Sequence, residues 1–146
     1  MSTGFEIERS APPSTEELTA LYDSVGWSAY TSNIERLEKA LRNSSHLVTA
    51  REAGRLVGLA RCVSDDTSVV FVQDILVDPQ AQRQGIGRAL LQDCLDRYEH
   101  VRQKVLLTDD RPDQLRFYKS LGFANTRELV EMPINAFVII GALELC

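Results

Sequence analysis

The stretch from Ile75 to Leu91 constrains this chain more than any other. Ile75, Leu76 and Val77 are apolar and strand-like, and Asp78-Pro79 ends them, because proline has no N–H for a ladder. A loop containing Gly85 and Gly87 follows, and the residues after it take up helical spacing. A helix that starts directly after such a loop turns several unpaired backbone N–H groups toward one point. Its dipole adds positive potential there, so the construction suits an anion. Gly85 and Gly87 carry no Cβ, which lets a phosphate approach the backbone closely. Arg83 and Arg88 flank the loop as charge-assisted donors. These residues describe a cradle for a diphosphate.

Other phosphate loops share the strand, glycine loop and helix. The dinucleotide fingerprint needs a third small residue in register and an acidic residue about 20 positions later, and neither is in place. The P-loop needs Gly-Lys-Ser/Thr, and this loop has no lysine. Gln82, Arg83, Gln84, Gly85, Ile86 and Gly87, preceded by Val77-Asp-Pro79, resemble the acyl-CoA loop Arg/Gln-x-x-Gly-x-Gly/Ala of the GNAT superfamily of N-acyltransferases. Taken alone, the loop also fits an ordinary glycine-containing β-to-α turn. A second motif decides between them. Phe117-Tyr-Lys-Ser-Leu-Gly-Phe123 is similar to the Tyr-x-x-x-Gly-Phe that ends a helix in that superfamily, with one short strand between the two motifs. The resemblance spans essentially the whole chain. It departs at Arg111 and Gln114, where many relatives place Asn, their usual contact to pantetheine, and Ala before the tyrosine.

The element order agrees with that resemblance. Phe5 to Arg9 alternates as a first strand, and capping boxes at Ser14/Glu17 and Ser32/Glu35 start two helices reaching about Ser24 and Asn43. His46–Arg51 and Arg55–Val63 form a hairpin around Glu52-Ala-Gly54, and Val69–Val77 is the fourth strand. The helix after the cradle runs to about His100 and buries Ile86, Leu90, Leu91, Cys94 and Leu95. Lys104–Thr108 is a short apolar strand, expected to be covered on both faces, and a last helix spans about Asp113 to Leu121. Phe123 begins a return strand, and the apolar run Asn135–Leu145 ends the chain as a long strand suited to packing on a second copy. The expectation is one α+β domain over residues 1–146, a GNAT-like mixed sheet of about seven strands flanked by about four helices in the order βααβββαβαββ.

Composition excludes few classes. At 146 residues, 44% hydrophobic and 25% charged, the chain suits one globular domain. A net charge of −5 argues against nucleic acid as a partner and favours a cationic acceptor. Three widely spaced cysteines, Cys62, Cys94 and Cys146, suggest a reducing compartment and no metal site. The N-terminal residues have neither a basic patch nor an apolar core, and no run approaches 18 apolar residues, so the expected setting is cytoplasmic and away from membranes.

The resemblance implies acetyl-CoA as co-substrate and an amine as acceptor. The amine attacks the thioester carbonyl, an oxyanion forms, and a thiolate leaves. A backbone N–H freed by a bend near Val77 would hold the oxyanion. The resemblance lays the pantetheine arm along Leu76 and Val77 and makes Tyr118 the acid for the thiolate; by its spacing to Leu115 and Leu121 alone, Tyr118 is a core residue. Asp74, just before the bend, is either the base that takes the amine's proton or a structural carboxylate. Trp27 and Tyr30, aromatics in a loop between the first two helices, either line the acceptor pocket or cap the core edge. His46 and His100 have structural places, and Cys62 and Cys94 face the core while Cys146 is terminal, so no covalent nucleophile is available and transfer is direct. The rival from another class is a non-catalytic acyl-CoA-binding module that regulates a partner; it needs the cradle but neither Tyr118 nor an acceptor cleft.

Overall fold

The computed structural model describes residues 4–9 and 11–141. They divide into two compact units, one reaching Leu106 and the other starting at Leu107. The first unit is built on a five-stranded sheet in the order β1-β2-β3-β4-β5, with β1 at Glu6–Glu8, β2 at His46–Glu52, β3 at Arg55–Ser64, β4 at Val69–Val77 and β5 at Gln103–Leu106. Pairing is antiparallel through β4, and β5 joins β4 in parallel.

Helices cover both faces. Helix α1 (Thr15–Ser24) starts on the expected capping box: the Glu17 N–H donates to Ser14 Oγ at 3.2 Å, and the Ser14 N–H donates to Glu17 Oε2 at 2.9 Å. A one-turn helix α2 (Ser28–Thr31) follows, and then α3 (Ile34–Arg42). The α3 cap is Asn33, whose side chain accepts from the Arg36 N–H, rather than Ser32 as its neighbouring Ser/Glu spacing suggests. Leu18, Leu21 and Tyr22 from α1 and Leu37 and Leu41 from α3 bury against Leu56, Leu59 and Leu76.

Helix α4 (Ile86–Arg97) lies on the opposite face, since Gly58 touches it while the adjacent Leu59 faces α1 and α3. A Cβ on Gly58 would sit 2.9 Å from Ile86 Cγ2 and 3.0 Å from Leu90 Cδ1, so only glycine lets α4 come this close. The helix stops at Arg97, short of His100, with Leu95 half-buried and Tyr98 buried just beyond it.

The second unit holds α5 (Pro112–Ser120), one residue from the expected span at each end. A 3₁₀ turn at Thr126–Glu128 follows, tied back by Lys119 Nζ to Glu128 Oε2 at 2.6 Å.

Three expectations change. The described residues contain five strands rather than seven: Phe123 starts no strand, and residues 133–140 have no regular secondary structure. The rest of the Asn135–Leu145 run lies outside the described residues. An apolar run asks for burial, but a strand also needs a partner edge, and residues 135–140 pair with none among the described residues. They also contain five α-helices, because α2 replaces what reads as a loop. Strand β5 is half-buried, so its apolar run does not report two covered faces.

Candidate active site

The loop from Asp78 to Gly87 has the local geometry its residues favour. Asp78 ends β4 and caps a 3₁₀ turn at Pro79–Ala81, its carboxylate accepting from the Gln80 N–H at 2.9 Å and from Arg55 Nη1 at 2.8 Å. These donors, the Gln80 amide foremost, hold the Asp78 carboxyl below the usual range. Gln82, Arg83 and Gln84 are exposed, and Arg83 sits at φ 68°. Gly85 caps α4 at φ 83°, a left-handed conformation that other residues rarely accept. The Ala89 N–H donates to the Gly85 carbonyl at 3.0 Å; by helix geometry the Ile86 and Gly87 donors before it have no partner within α4. Ile86 is buried on β3, which aims the start of the helix, and Arg88 is exposed. Gly87 lies inside α4, so Gly87→Val keeps the backbone and adds bulk beside the first-turn amides. Calorimetric titration with CoA should show its binding lost while circular dichroism stays that of the wild type; unchanged affinity would remove phosphate from this loop.

Strand β4 is divided in two. Val69 to Val72 pair with β5, whereas Gln73 to Val77 have no β5 partner. On its other side β4 is irregular: Arg61 pairs with Asp74 and Cys62 with Val72, which leaves Gln73 without a partner. The expected bend near Val77 is therefore located at Gln73. Val77 stays in register, paired with Gly58, and the next amide, Asp78 N–H, donates to the Val57 carbonyl at 2.8 Å. The extra residue also reverses the faces that follow it. Val72 shares a face with Cys62, which meets Cys94 on α4, whereas Asp74 shares the other face with Arg61. Without Gln73 as a bulge, Asp74 would point at α4.

Instead Asp74 enters a buried polar cluster under α1 and α2. The carboxylate is 3% exposed. Its Oδ2 accepts from Arg61 Nε at 2.5 Å and from Tyr22 Oη at 3.0 Å, and its Oδ1 accepts from Tyr30 Oη at 2.8 Å. Burial, followed by the negative charge of Asp74, raises the hydroxyls of Tyr22 and Tyr30 above the ordinary tyrosine value, so both remain neutral donors. Burial opposes the charge on Arg61, but Asp74 outweighs it and the guanidinium stays ionised. Trp27 caps α2 and Tyr30 lies within it; their ring centroids are 6.1 Å apart, and Tyr30 meets Tyr22 edge-on at 5.1 Å. Both are half-buried against the Leu76 core, which also contains the buried Leu76 side chain. Tyr30 Oη faces a long 3.5 Å contact from the exposed Gln73 amide.

The structure thus brings Asp74, Tyr30, Trp27 and Leu76 together. Sequence reasoning missed Arg61 and Tyr22, the other half of the cluster. The readable signal for Arg61 was a lone cation inside an otherwise apolar strand, with an aspartate at the matching place on the next one. Tyr118 belongs to the second unit, where it is 8% exposed and meets Phe117 and Phe123 edge-on at 5.0 and 6.0 Å. Burial pushes its hydroxyl up to about 12. The histidines are engaged structurally: His46 Nε2 lies 2.8 Å from Asp93, which also holds Arg9, and His100 meets Asp66. Cys62 and Cys94 are free and buried. Among the described residues no cluster of three or more His, Cys, Asp or Glu can hold a metal, and no helix is long and apolar enough to cross a membrane.

Known proteins of similar sequence and fold bear on this geometry. A family model described as an acetyltransferase (GNAT) domain matches residues 12–135. A solved GNAT-family acetyltransferase from Streptococcus pneumoniae is similar at 33% identity and a TM-score of 0.73, over 90% of this chain and 98% of that one. The uncharacterised N-acetyltransferase ycf52 of Pyropia yezoensis is 32% identical over 111 residues, 73% of this chain and 63% of the relative. Histone acetyltransferase TAP1 of Glycine max is 33% identical over 120 residues, 73% of this chain and 50% of the relative. The matches therefore span from half to somewhat under two thirds of these curated relatives.

Proposed function

Given that this chain belongs to the GNAT family of N-acetyltransferases, we propose that it transfers an acetyl group from acetyl-CoA to a primary amine, a small amine or a protein lysine or N-terminus, by direct attack. The observation that carries this reading is an αL glycine at the start of α4 next to a β4 that has no β5 partner after Val72. The cradle amides with Arg83 and Arg88 take the diphosphate, and Gln82, Gln84 and Ile86 shape the loop. The pantetheine arm adds to the open edge along Leu76 and Val77, as an extended peptide adds to a sheet. A backbone amide at the Gln73 bulge is the candidate oxyanion donor.

The remaining roles follow from the chemistry. Trp27 and Tyr30 line the acceptor pocket, Asp74 is the terminal acceptor of the amine's proton, and Tyr118 is the acid that meets the departing thiolate. No step requires a metal. The family match at residues 12–135 runs through both compact units, which supports reading residues 1–146 as one domain. Free, buried Cys62 and Cys94 suit a reducing compartment such as the cytoplasm. Amine-dependent release of free thiol from acetyl-CoA is the test; a protein that binds acetyl-CoA yet releases none is an acyl-CoA-binding module instead.

A homodimer through the C-terminal segment is part of the same reading. Val130, Met132, Phe137, Val138 and Ile139 are exposed, Phe137 at 93% and Ile139 at 102%, and a run this apolar favours cover by a second copy. Sedimentation at micromolar concentration should give a dimer, and Phe137→Asp with Ile139→Asp should shift it to monomer. A wild-type monomer would contradict the assembly.

A further inference from the structure

We infer that the Tyr30 hydroxyl is the proton conduit between the acceptor amine and Asp74, with Arg61 and Tyr22 holding the carboxylate in place behind it. This rests on the N-acetyltransferase reading and adds a route that the reading lacks. Asp74 is 3% exposed, and of its partners Tyr22 is 0% and Arg61 7% exposed, so no acceptor touches the carboxylate directly or through those two. Among the described residues Tyr30 is the one half-buried group on Asp74, and it lies beside Gln73, the exposed bulge residue where β4 leaves β5. Its O–H points to Asp74 Oδ1 at 2.8 Å; of the two lone pairs on the oxygen, one takes the long 3.5 Å contact from the Gln73 amide, which the amine displaces or joins when it binds. A hydrogen bond to a carboxylate makes that oxygen a better acceptor, because bonds in a chain polarise one another.

The step balances. As the amine nitrogen bonds to the acetyl carbon it becomes a cationic N–H donor. That N–H bond breaks and an O–H bond forms at Tyr30 Oη, while the original Tyr30 O–H breaks and its proton joins Asp74 Oδ1. Tyr30 is neutral before and after, and Asp74 goes from anion to acid with Arg61 still charged beside it. The raised hydroxyl of Tyr30 agrees with this, since the group begins as a proton-bearing relay and not as a phenolate.

Tyr30→Phe removes the hydroxyl and keeps the ring contacts. In single-turnover assays with saturating acetyl-CoA and a primary amine, its maximal rate should fall about 10²-fold, the lower end for positioned proton transfer, with little change in amine affinity. The wild-type rate in mixed light and heavy water should follow a bowed curve, because two protons move together. A Tyr30→Phe protein that weakens only amine affinity would make Tyr30 a pocket wall and overturn the relay, as would a straight-line isotope dependence. If Tyr30→Phe does not fold, the wild-type curve decides alone. A wild type with no amine-dependent turnover would overturn the underlying reading, and the relay with it.

Discussion

Tyr118→Phe should lower kcat and kcat/KM together, by about 10²-fold, in a protein that folds as well as the wild type. General-acid contributions range over about 10²–10⁴-fold, and the environment of Tyr118 selects the lower end. Its hydroxyl is pushed up to about 12 by burial, whereas a free thiol titrates near 8.5. Full transfer to a thiolate is therefore uphill, and the hydroxyl contributes mainly by donating to sulfur as the C–S bond breaks. Phenylalanine keeps the edge-on contacts with Phe117 and Phe123, so packing should survive. Because the interaction exists only as charge develops, both kinetic parameters should fall by the same factor. Single-turnover measurement removes product release from the comparison. Unchanged single-turnover rates would return Tyr118 to a packing role.

Arg61→Ala should cost about 3–5 kcal/mol of folding stability, the usual consequence of stripping one partner from a buried ion pair. Its side chain is 8% exposed and that of Asp74 2%, so water cannot replace the lost guanidinium. The Tyr22 and Tyr30 hydroxyls still donate to the carboxylate, which places the loss nearer the lower figure. Denaturant titration reads this as a lower midpoint at unchanged slope. A loss below about 1 kcal/mol, the range of a surface pair, would mean that solvent reaches the cluster. The contrast with Arg97 and Asp66, exposed and 3.3 Å apart, is useful: alanine at Arg97 should change little.

What the sequence disclosed divides along the line between local and long-range geometry. The turn at Asp78-Pro79 and the cap at Gly85 were legible because their geometry is local: Asp78-Pro79 must end a strand, and a glycine at 85 suits the left-handed cap that α4 uses. The Ser14/Glu17 box was legible for the same reason. Ser32 and Asn33 are both good caps side by side, and only the backbone path chooses Asn33. The bulge at Gln73 is a relation between two strands, set by how β3 and β4 align, and no residue in Val69–Val77 announces it. Everything after it on β4 changes face, so the surroundings of Asp74 were hidden with it. Trp27 and Tyr30 were found as aromatics in a loop, but the one-turn helix that aims Tyr30 at Asp74 is too short for a periodic signal. The C-terminal apolar run shows the limit in reverse, since hydrophobicity states a need for cover without naming what covers it.

The most direct test of the account is one reaction followed in two ways. The protein is mixed with acetyl-CoA and a panel of primary amines and lysine-bearing peptides; free thiol is measured over time, and the acceptor is examined for N-acetylation by mass spectrometry. Thiol release should require an amine, be matched one for one by N-acetylated product, and be lost in Gly87→Val together with CoA binding. Saturable acetyl-CoA binding with no amine-dependent thiol release from any member of the panel would contradict it.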